Sequence, residues 1–486
     1  MIILIFCRKN AIIFLLILIL HYSIFNISNR NLITEHDSTH EIDNFTMNLY
    51  RDNRKQESSI LHEELNDFHY SQYNASLIEK RKIEDGSNIN VSGKYLTIKN
   101  NKITNSESAS IIVENSINVL IMNNDISQGS SYAILLRNCT NVVISSNNIR
   151  NTLEGIHVDE TKNVIISNNT IKKSGNYIEG HFEAGISLEK TMNLTIQNNL
   201  ISGNHYGILS ISADFTRILS NTISQNYEGI RIFSSTEFII ETNTITDLGK
   251  IDPFDSYKYT GSGLRFENST NIRVLQNKID RSENGWGIGC DFSQTIIVAN
   301  NSISRFIKGG IDFGSCSDFE LRFNKLNEDS GQGINIFSWF KKGLNLNTSI
   351  IFHNEIRDIS GDGIKIQKVN NITLQSNKIY KVTGNGIIIG HSSKFNSIVS
   401  NDIEKSKIAI YLRYNSSNNR IYDNTLKFSF SKAIAGDTKS IENSTIENNN
   451  IIHYFLIFNR FETFLFMFLM SFFVFILIYI LKKFRT

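Results

Sequence analysis

The segment KIDPFDSYKYTG, residues 250 to 261, concentrates side chains that can transfer a proton or bind a charged group. These side chains are Asp252, Asp255, Tyr257, Lys258 and Tyr259. A tyrosine can act as a base towards a C–H group beside a carboxylate when a nearby cation neutralises that carboxylate. We therefore consider Tyr257 or Tyr259 a candidate base, and Arg265, just after the segment, or Arg231 a candidate cation.

A second candidate for proton transfer, His181, lies in the segment SGNYIEGHFEAG at residues 174 to 185. Both segments are polar insertions between short apolar runs. A single histidine on a loop is also an ordinary surface residue. Which interpretation holds depends on whether the two loops leave the same side of the fold.

The apolar runs form a repeat that must position these loops. An Asn, any residue and then Ile or Leu recur at intervals of about 22 to 25 residues, a spacing typical of solenoids. These asparagines are Asn101, Asn124, Asn147, Asn169, Asn199, Asn221, Asn243, Asn277, Asn301, Asn324, Asn354, Asn377, Asn401, Asn424 and Asn449. Most intervals also contain a Gly-Ile or Gly-Leu run such as GIRI and a run such as NVVIS, and all three runs alternate with period two.

Three short strands in each interval predict one coil of a parallel β-helix, stacked on the next coil at about 4.8 Å. Inward Ile, Val and Leu would form the core, the Gly would make a bend, and the stacked Asn side chains would hydrogen-bond along the axis. A leucine-rich repeat would need a helix in each unit, and the pattern has none. We predict an all-β solenoid of about fifteen coils over residues 91 to 452.

The GIRI, NNTI and NVVIS units resemble the right-handed parallel β-helix superfamily of pectate-lyase-like proteins and the NosD-like, carbohydrate-binding β-helix repeats. The resemblance implies a right-handed helix and a polysaccharide ligand. DPFD also resembles the Asp-Pro-His-Asp/Glu signature of mannuronan C-5 epimerases, with matches at Asp252, Pro253 and Asp255. Phe254 stands where that family carries its catalytic histidine, so His181 is a candidate substitute.

Three intervals of the repeat are long, at residues 169–199, 243–277 and 324–354. Insertions in a solenoid become loops that often border a binding face. The first two insertions precede a Gly-Ile strand and the third follows one, so together they frame the face built from Gly-Ile strands. We predict a ligand groove there.

Outward positions of the Gly-Ile strands supply the candidate substrate-binding residues. They are Arg231, Phe233, Glu267, Asp291, Asp312, Asn335, Phe337 and Lys365, next to the candidate catalytic Arg265. Guanidinium groups bind carboxylates with two hydrogen bonds, and phenylalanine rings can support sugar rings. Alternatively, these charges form ordinary cross-strand pairs on a solvated face.

Composition argues against several other classes of partner. The formal net charge is +2, so nothing indicates a nucleic acid. Four cysteines, at 7, 139, 290 and 316, are too scattered to indicate a disulfide framework or a metal site. Glu267, Asp291 and Asp312 approach the carboxylate cluster that calcium needs, which leaves calcium open, and we predict no cofactor.

Apolar segments at both ends predict attachment to a membrane. Residues 1–27 resemble a signal peptide or a signal anchor, and residues 453–481 include an apolar run long enough to span a bilayer. Basic residues flank both segments on the side predicted to be cytoplasmic, which includes the tail at 482–486. Residues 28–90 are charged and predict a linker or a helical cap.

These patterns predict a membrane-anchored β-helix on the extracytoplasmic side. We expect it to bind an acidic, uronate-containing polysaccharide and to be a candidate epimerase or lyase. The alternative is a non-catalytic NosD-like protein or an adhesive stalk.

Overall fold

The computed structural model describes residues 76–84, 86–173, 183–249, 261–346, 348–428 and 432–453. All of them belong to the second of two compact units, Asn74–Thr486. Their strands form three long sheets, which we name A, B and C, and the paired neighbours are parallel. Each coil contributes one strand to each sheet, as the sequence predicts, except that the last described coil has no strand in sheet C.

Sheet A contains the runs of the NVVIS type in sixteen strands. They are β1 (Ser76–Glu79), β4 (Lys94–Lys99), β7 (Ile117–Met122), β10 (Thr140–Ser145), β13 (Lys162–Ser167), β16 (Met192–Gln197), β19 (Asp214–Leu219), β22 (Thr236–Glu241), β25 (Thr270–Leu275), β28 (Gln294–Ala299), β31 (Ser317–Arg322), β35 (Ile350–Phe352), β39 (Thr373–Gln375), β42 (Ser397–Val399), β45 (Arg420–Tyr422) and β48 (Thr445–Glu447).

Sheet B contains the short strands that follow the repeated asparagines, again sixteen in number. They are β2 (Lys82–Ile83), β5 (Lys102–Thr104), β8 (Asp125–Ser127), β11 (Asn148–Arg150), β14 (Thr170–Lys172), β17 (Leu200–Ser202), β20 (Thr222–Ser224), β23 (Thr244–Leu248), β26 (Lys278–Ser282), β29 (Ser302–Phe306), β32 (Lys325–Asn327), β36 (Glu355–Ile359), β40 (Lys378–Val382), β43 (Asp402–Glu404), β46 (Thr425–Phe428) and β49 (Asn450–His453).

Sheet C contains the Gly-Ile strands, fifteen in number. They are β3 (Ile89–Val91), β6 (Ile111–Glu114), β9 (Tyr132–Arg137), β12 (Glu154–Asp159), β15 (Ala184–Glu189), β18 (Tyr206–Ile211), β21 (Glu228–Phe233), β24 (Leu264–Glu267), β27 (Trp286–Asp291), β30 (Gly309–Gly314), β33 (Gln332–Phe337), β37 (Ile364–Gln367), β41 (Ile387–Gly390), β44 (Ile408–Leu412) and β47 (Lys432–Gly436). A small extra sheet pairs β34 (Leu344–Asn345) with β38 (Val369–Asn370), and helix α1 spans Thr438–Glu442.

The solenoid begins earlier than the sequence predicts. Residues 76 to 90 fall within the predicted linker or cap, but β1 and β2 pair with β4 and β5 and, with β3, form the first coil. Their runs are short and lack the repeated Asn, so the pattern does not reveal them. The described residues do not include the rest of the predicted linker or cap or the predicted signal segment at 1–27. They also exclude the predicted transmembrane segment at 453–481, apart from His453. Among the helices of the described residues, none has the length and apolar character needed to cross a bilayer.

The core follows directly from the period-two pattern. In sheet A, Val142 pairs with Val164 and Ile144 with Ile166, and all four side chains are buried. Stacking like residues in register lets each coil cover the apolar surface of the one before it.

The predicted asparagine ladder is confirmed and fully hydrogen-bonded. At Asn243, the side-chain oxygen accepts from the backbone N–H and the amide of Asn221, at 2.8 and 3.0 Å. The Asn243 amide in turn donates to Asn277 Oδ1 at 3.0 Å and to the carbonyl of Ile218 at 2.8 Å. Each side chain thus satisfies buried backbone groups at a corner where the strand ladder is interrupted.

The glycine of the Gly-Ile strand has a different role from the predicted bend. A Cβ at Gly229 would lie 2.3 Å from the carbonyl oxygen of Gly263 and 2.6 Å from Ile245 Cγ2. Its φ is not in the left-handed region. Glycine is therefore required by close contact between coils rather than by backbone conformation.

One disulfide joins neighbouring coils of sheet C. Cys290 on β27 is bonded to Cys316, which follows β30, with the two Cα atoms 6.7 Å apart. The cysteines are 26 residues apart in sequence, so only the coil register reveals that they meet. Cys139 occupies the equivalent corner position to Cys316 in another coil and is a buried free thiol.

Candidate functional site

The register of sheet C places the predicted outward residues in two adjacent columns. Arg231 pairs with Arg265, Arg265 with Gly289, and Gly289 with Asp312. The first column then continues through Asn335 to Lys365. The second column runs Phe233, Glu267, Asp291, Gly314, Phe337. Period-two alternation combined with coil stacking brings these side chains together, as the sequence predicts.

The two arginines are bound by the chain's own carboxylates. Arg231 donates to both oxygens of buried Glu228 at 3.2 Å and to Glu267 at 2.9 Å. Arg265 donates to Glu267 and to Asp291, at 2.7 Å in each case. Both guanidinium groups are therefore held in ion pairs with carboxylates of the same chain and do not stand open for a ligand carboxylate. This differs from the ligand-binding role that the sequence predicts for them.

Two aspartates at the end of this network are partly withdrawn from water. Burial raises the pKa of Asp312 to about 6, although the Asn335 amide donates to its carboxylate at 2.7 Å. Burial also raises the pKa of Asp291, while Arg265 and the indole of Trp339 favour its charged form. Asp312 can thus exchange a proton near neutral pH beside a carboxylate that is held by a cation.

Trp339 is a part of the site that the sequence analysis missed. Its indole N–H donates to Asp291 Oδ1 at 3.1 Å and its backbone N–H donates to Ser315 Oγ at 2.9 Å, yet the residue is 60% exposed. The ring of Phe337 packs against it at 4.8 Å. Trp339 lies in the insertion after β33, which the interrupted repeat had identified as a border of the face.

Further aromatic rings extend this surface. Phe340 and Phe292 are about half exposed, at 51% and 48%, and their ring centroids lie 6.3 Å apart. With Phe337 and Trp339 they form what we call the aromatic shelf: Phe292, Phe337, Trp339 and Phe340. Soluble proteins seldom expose large contiguous apolar patches without a binding role.

Four lysines near the candidate site have no partner among the described residues. The side-chain ammonium groups of Lys308, Lys341, Lys342 and Lys365 form no hydrogen bond or ion pair within the described ranges. Lys308 is half-buried beside Arg265 and Asp312, and burial lowers its pKa. Of these four, only Lys365 was predicted; Lys341 and Lys342 follow the aromatic residues of the same insertion.

A second polar cluster lies further along the same face, at β12 and β15. Ser187 donates to Glu154 at 2.9 Å and its hydroxyl is 2.7 Å from His157 Nδ1. Glu183 is buried beside Glu154, and neither of its oxygens has a hydrogen-bond partner among the described residues. Burial and then the charge of Glu154 raise the pKa of Glu183 to about 7.

Four candidate catalytic residues, His181, Asp252, Asp255 and Tyr257, lie outside the described residues, so their roles stay predictions. Arg265 is the candidate catalytic residue that the structure describes. No group of three His, Cys, Asp or Glu suited to a metal ion occurs in the part of the chain that the structure covers.

Comparison with known proteins identifies the fold family. A family model described as a right-handed β-helix region matches residues 57–183, 184–348 and 343–459. The chain matches no curated protein sequence.

Similar solved structures include a periplasmic alginate epimerase, at 14% identity and a TM-score of 0.38, over 71% of this chain and 77% of that one. The A-module of a mannuronan C-5 epimerase from Azotobacter vinelandii is 11% identical, with a TM-score of 0.41, over 74% and 91%. The Dettilon tailspike protein is 14% identical, with a TM-score of 0.40, over 74% and 62%. Likeness at this level does not reveal what this chain binds.

Proposed function

The chain belongs to the right-handed β-helix family, and we propose that it binds an acidic polysaccharide on the sheet C side of its solenoid. The observation that carries this proposal is Trp339, a largely exposed ring fixed by a hydrogen bond to Asp291. A flat ring held in one orientation can stack on the C–H face of a sugar without losing further conformational entropy. The neighbouring charged groups can then bind the hydroxyls.

Four lysines that have no partner among the described residues support the acidic character of the ligand. Arg231 and Arg265 are already neutralised by the network, so Lys308, Lys341, Lys342 and Lys365 are the cations left for ligand carboxylates. Lysine offers a flexible point charge that suits a polymer with carboxylates at repeated positions. A uronate-containing chain fits this arrangement.

We further propose that the protein modifies the polymer that it binds. Asp312, with its pKa near 6, is able to give or take a proton beside the shelf. Epimerase or lyase chemistry would additionally use Tyr257, Asp252, Asp255 and His181 from the two long loops, while Arg265 would act by holding Glu267 and Asp291 in place. Either reaction begins with removal of the proton beside a sugar carboxylate.

An extracytoplasmic site is part of the same proposal. The buried Cys290–Cys316 disulfide is of a kind that persists mainly in oxidising compartments. Attachment to the membrane through residues 453–481 would present the solenoid to surface polymers.

Binding is tested with the full chain against uronate polymers and a neutral polymer. Trp339→Ala should weaken binding of the uronate polymer by about tenfold or more, because roughly 1.4 kcal/mol of lost stacking is a factor of ten. Phe215→Ala is the matched control, since Phe215 is also exposed, at 54%, but lies at the start of a sheet A strand. Failure of the parent protein to bind any polymer would instead favour the structural or adhesive stalk.

Modification is tested on the same polymers by ultraviolet absorbance for a lyase and by proton NMR for an epimerase. Asp312→Asn, Tyr257→Phe and Arg265→Ala should each reduce product formation. Binding without product in the parent protein would leave a carbohydrate-binding protein and reject the catalytic part.

A further inference from the structure

The disulfide lies directly beneath the aromatic shelf. Cys290 immediately precedes Asp291, whose carboxylate holds the Trp339 indole. Cys316 immediately follows Ser315, whose hydroxyl accepts from the Trp339 backbone N–H. The bond therefore joins the two chain segments that hold Trp339 from two sides.

The same corner of the solenoid is normally built without a covalent bond. At this position Ser269 accepts from the N–H of Ser235 at 3.2 Å, and Ser293 accepts from the N–H of Ser269 at 3.0 Å. This hydroxyl ladder stops at Cys316. Coils stack at this corner through hydrogen bonds alone, so stacking does not require the disulfide at Cys316. Its role therefore concerns the residues around it.

The hydrogen bonds that hold Trp339 in the shelf are sensitive to movement of one coil against the next. Asp291 and Trp339 fill the space above Gly314, where a Cβ would lie 2.3 Å from Asp291 Oδ1 and 2.7 Å from Trp339 Nε1. The hydrogen bonds that hold the exposed ring span three coils, β27, β30 and the segment after β33. A small shift of one coil against the next would break one of them, because hydrogen bonds weaken steeply with misalignment.

We propose that Cys290 and Cys316 are positioning residues that fix Trp339 for the polymer ligand, an inference that rests on the proposed function. Both cysteines are 1% exposed, so burial protects the bond from reductants. Its contribution is to preorganise the shelf rather than to touch the ligand.

The test compares Cys290→Val/Cys316→Ser with Cys139→Ser in the full chain. Valine suits the inward position on sheet C, which Val158 occupies in another coil, and serine restores the hydroxyl of the ladder. Cys139→Ser makes the same change at the equivalent corner, where no disulfide exists. Trp286→Phe is included in every protein, because Trp339 is then the only tryptophan left.

We expect the double variant to shift the emission of Trp339, raise its rotational freedom in anisotropy measurements and weaken polymer binding by about tenfold. The Cys139→Ser protein should match the parent in all three. Equal emission, anisotropy and affinity in the two variants would overturn the proposal. If no protein binds polymer, the proposed function fails, while emission and anisotropy still decide whether the bond positions the ring.

A second variant guards against a double variant that does not fold. Ser315→Ala keeps the disulfide and removes the acceptor for the Trp339 N–H, so it should shift emission in the same direction. Unchanged emission in Ser315→Ala, together with loss of folding in the double variant, would show a purely structural bond and overturn the proposal.

Discussion

Single residues in this protein show how burial sets the role of a charged group. Asp329 accepts from the N–H of Phe306 at 2.9 Å through one oxygen, and its other oxygen has no partner in the described part of the chain. Burial raises its pKa to about 8. At neutral pH this side chain is largely a neutral acid, comparable to Asn204 and Asn226, which form a hydrogen-bonded pair several coils away.

Asp329→Asn should therefore change how stability depends on pH. The folded protein keeps the proton up to about pH 8, whereas an unfolded aspartic acid loses it near pH 4. The contribution of the group to the free energy of unfolding is thus full in acid and is lost as pH rises through that window. The variant should show a higher thermal midpoint than the parent at pH 9, by several degrees, and a smaller difference at pH 5.

The control for this prediction is Asp423→Asn, which changes an exposed aspartate at another corner. Its midpoint should follow that of the parent at both pH values. An Asp329→Asn midpoint below that of the parent at pH 9 would show that the carboxylate is needed in its charged form.

At the scale of elements, the asparagine ladder is the device that joins one coil to the next. Each ladder side chain serves buried backbone groups on neighbouring coils, so its loss leaves several donors and acceptors unsatisfied. Asn243→Ala should lower the thermal midpoint by several degrees, because the net cost is on the order of 2 kcal/mol or more. Thermal unfolding followed by circular dichroism measures this.

Asn148→Ala is the matched comparison, since Asn148 is exposed on β11 and donates one side-chain hydrogen bond, to Asp125 at 2.9 Å. Surface changes of this kind are usually within about 0.5 kcal/mol. Similar midpoints for the two variants would contradict the stabilising role of the ladder.

Sequence patterns predicted most of the fold because its repeat is governed by one-dimensional rules. Alternation fixes which residues of a strand face inward, and a constant coil length fixes which residues stack, so the two columns through Arg265 and Glu267 were predictable. The first coil was not, because its short runs lack the Asn signal. The disulfide was not, because cysteines 26 residues apart carry no pairing signature.

The sequence predicts where the candidate site lies but not how its side chains pair. Register brought Asp291 and Asp312 together, but the capture of both arginines by Glu228, Glu267 and Asp291 depends on side-chain geometry. Trp339 was missed because it lies in an insertion, where the repeat no longer predicts direction. Its hydrogen bond to Asp291 is evident only in three dimensions.

For the whole molecule, we expect the affinity for the polymer to depend on salt concentration. The four lysines near the candidate site would attract the ligand from a distance, and raising ionic strength from 0.1 to 1 M shortens the Debye length from about 10 to about 3 Å. Affinity for a uronate polymer should fall about tenfold or more over that range. Salt-independent affinity would argue against charge recognition by Lys308, Lys341, Lys342 and Lys365.

The most direct test of the central claim is titration of the full-length Trp286→Phe protein with a uronate polymer, followed by the fluorescence of Trp339. We expect a saturable change in Trp339 emission, and the same change in a Phe215→Ala variant. A neutral polymer of the same length should cause no change. Binding detected by calorimetry with no change in Trp339 emission, or no binding at all, would contradict it.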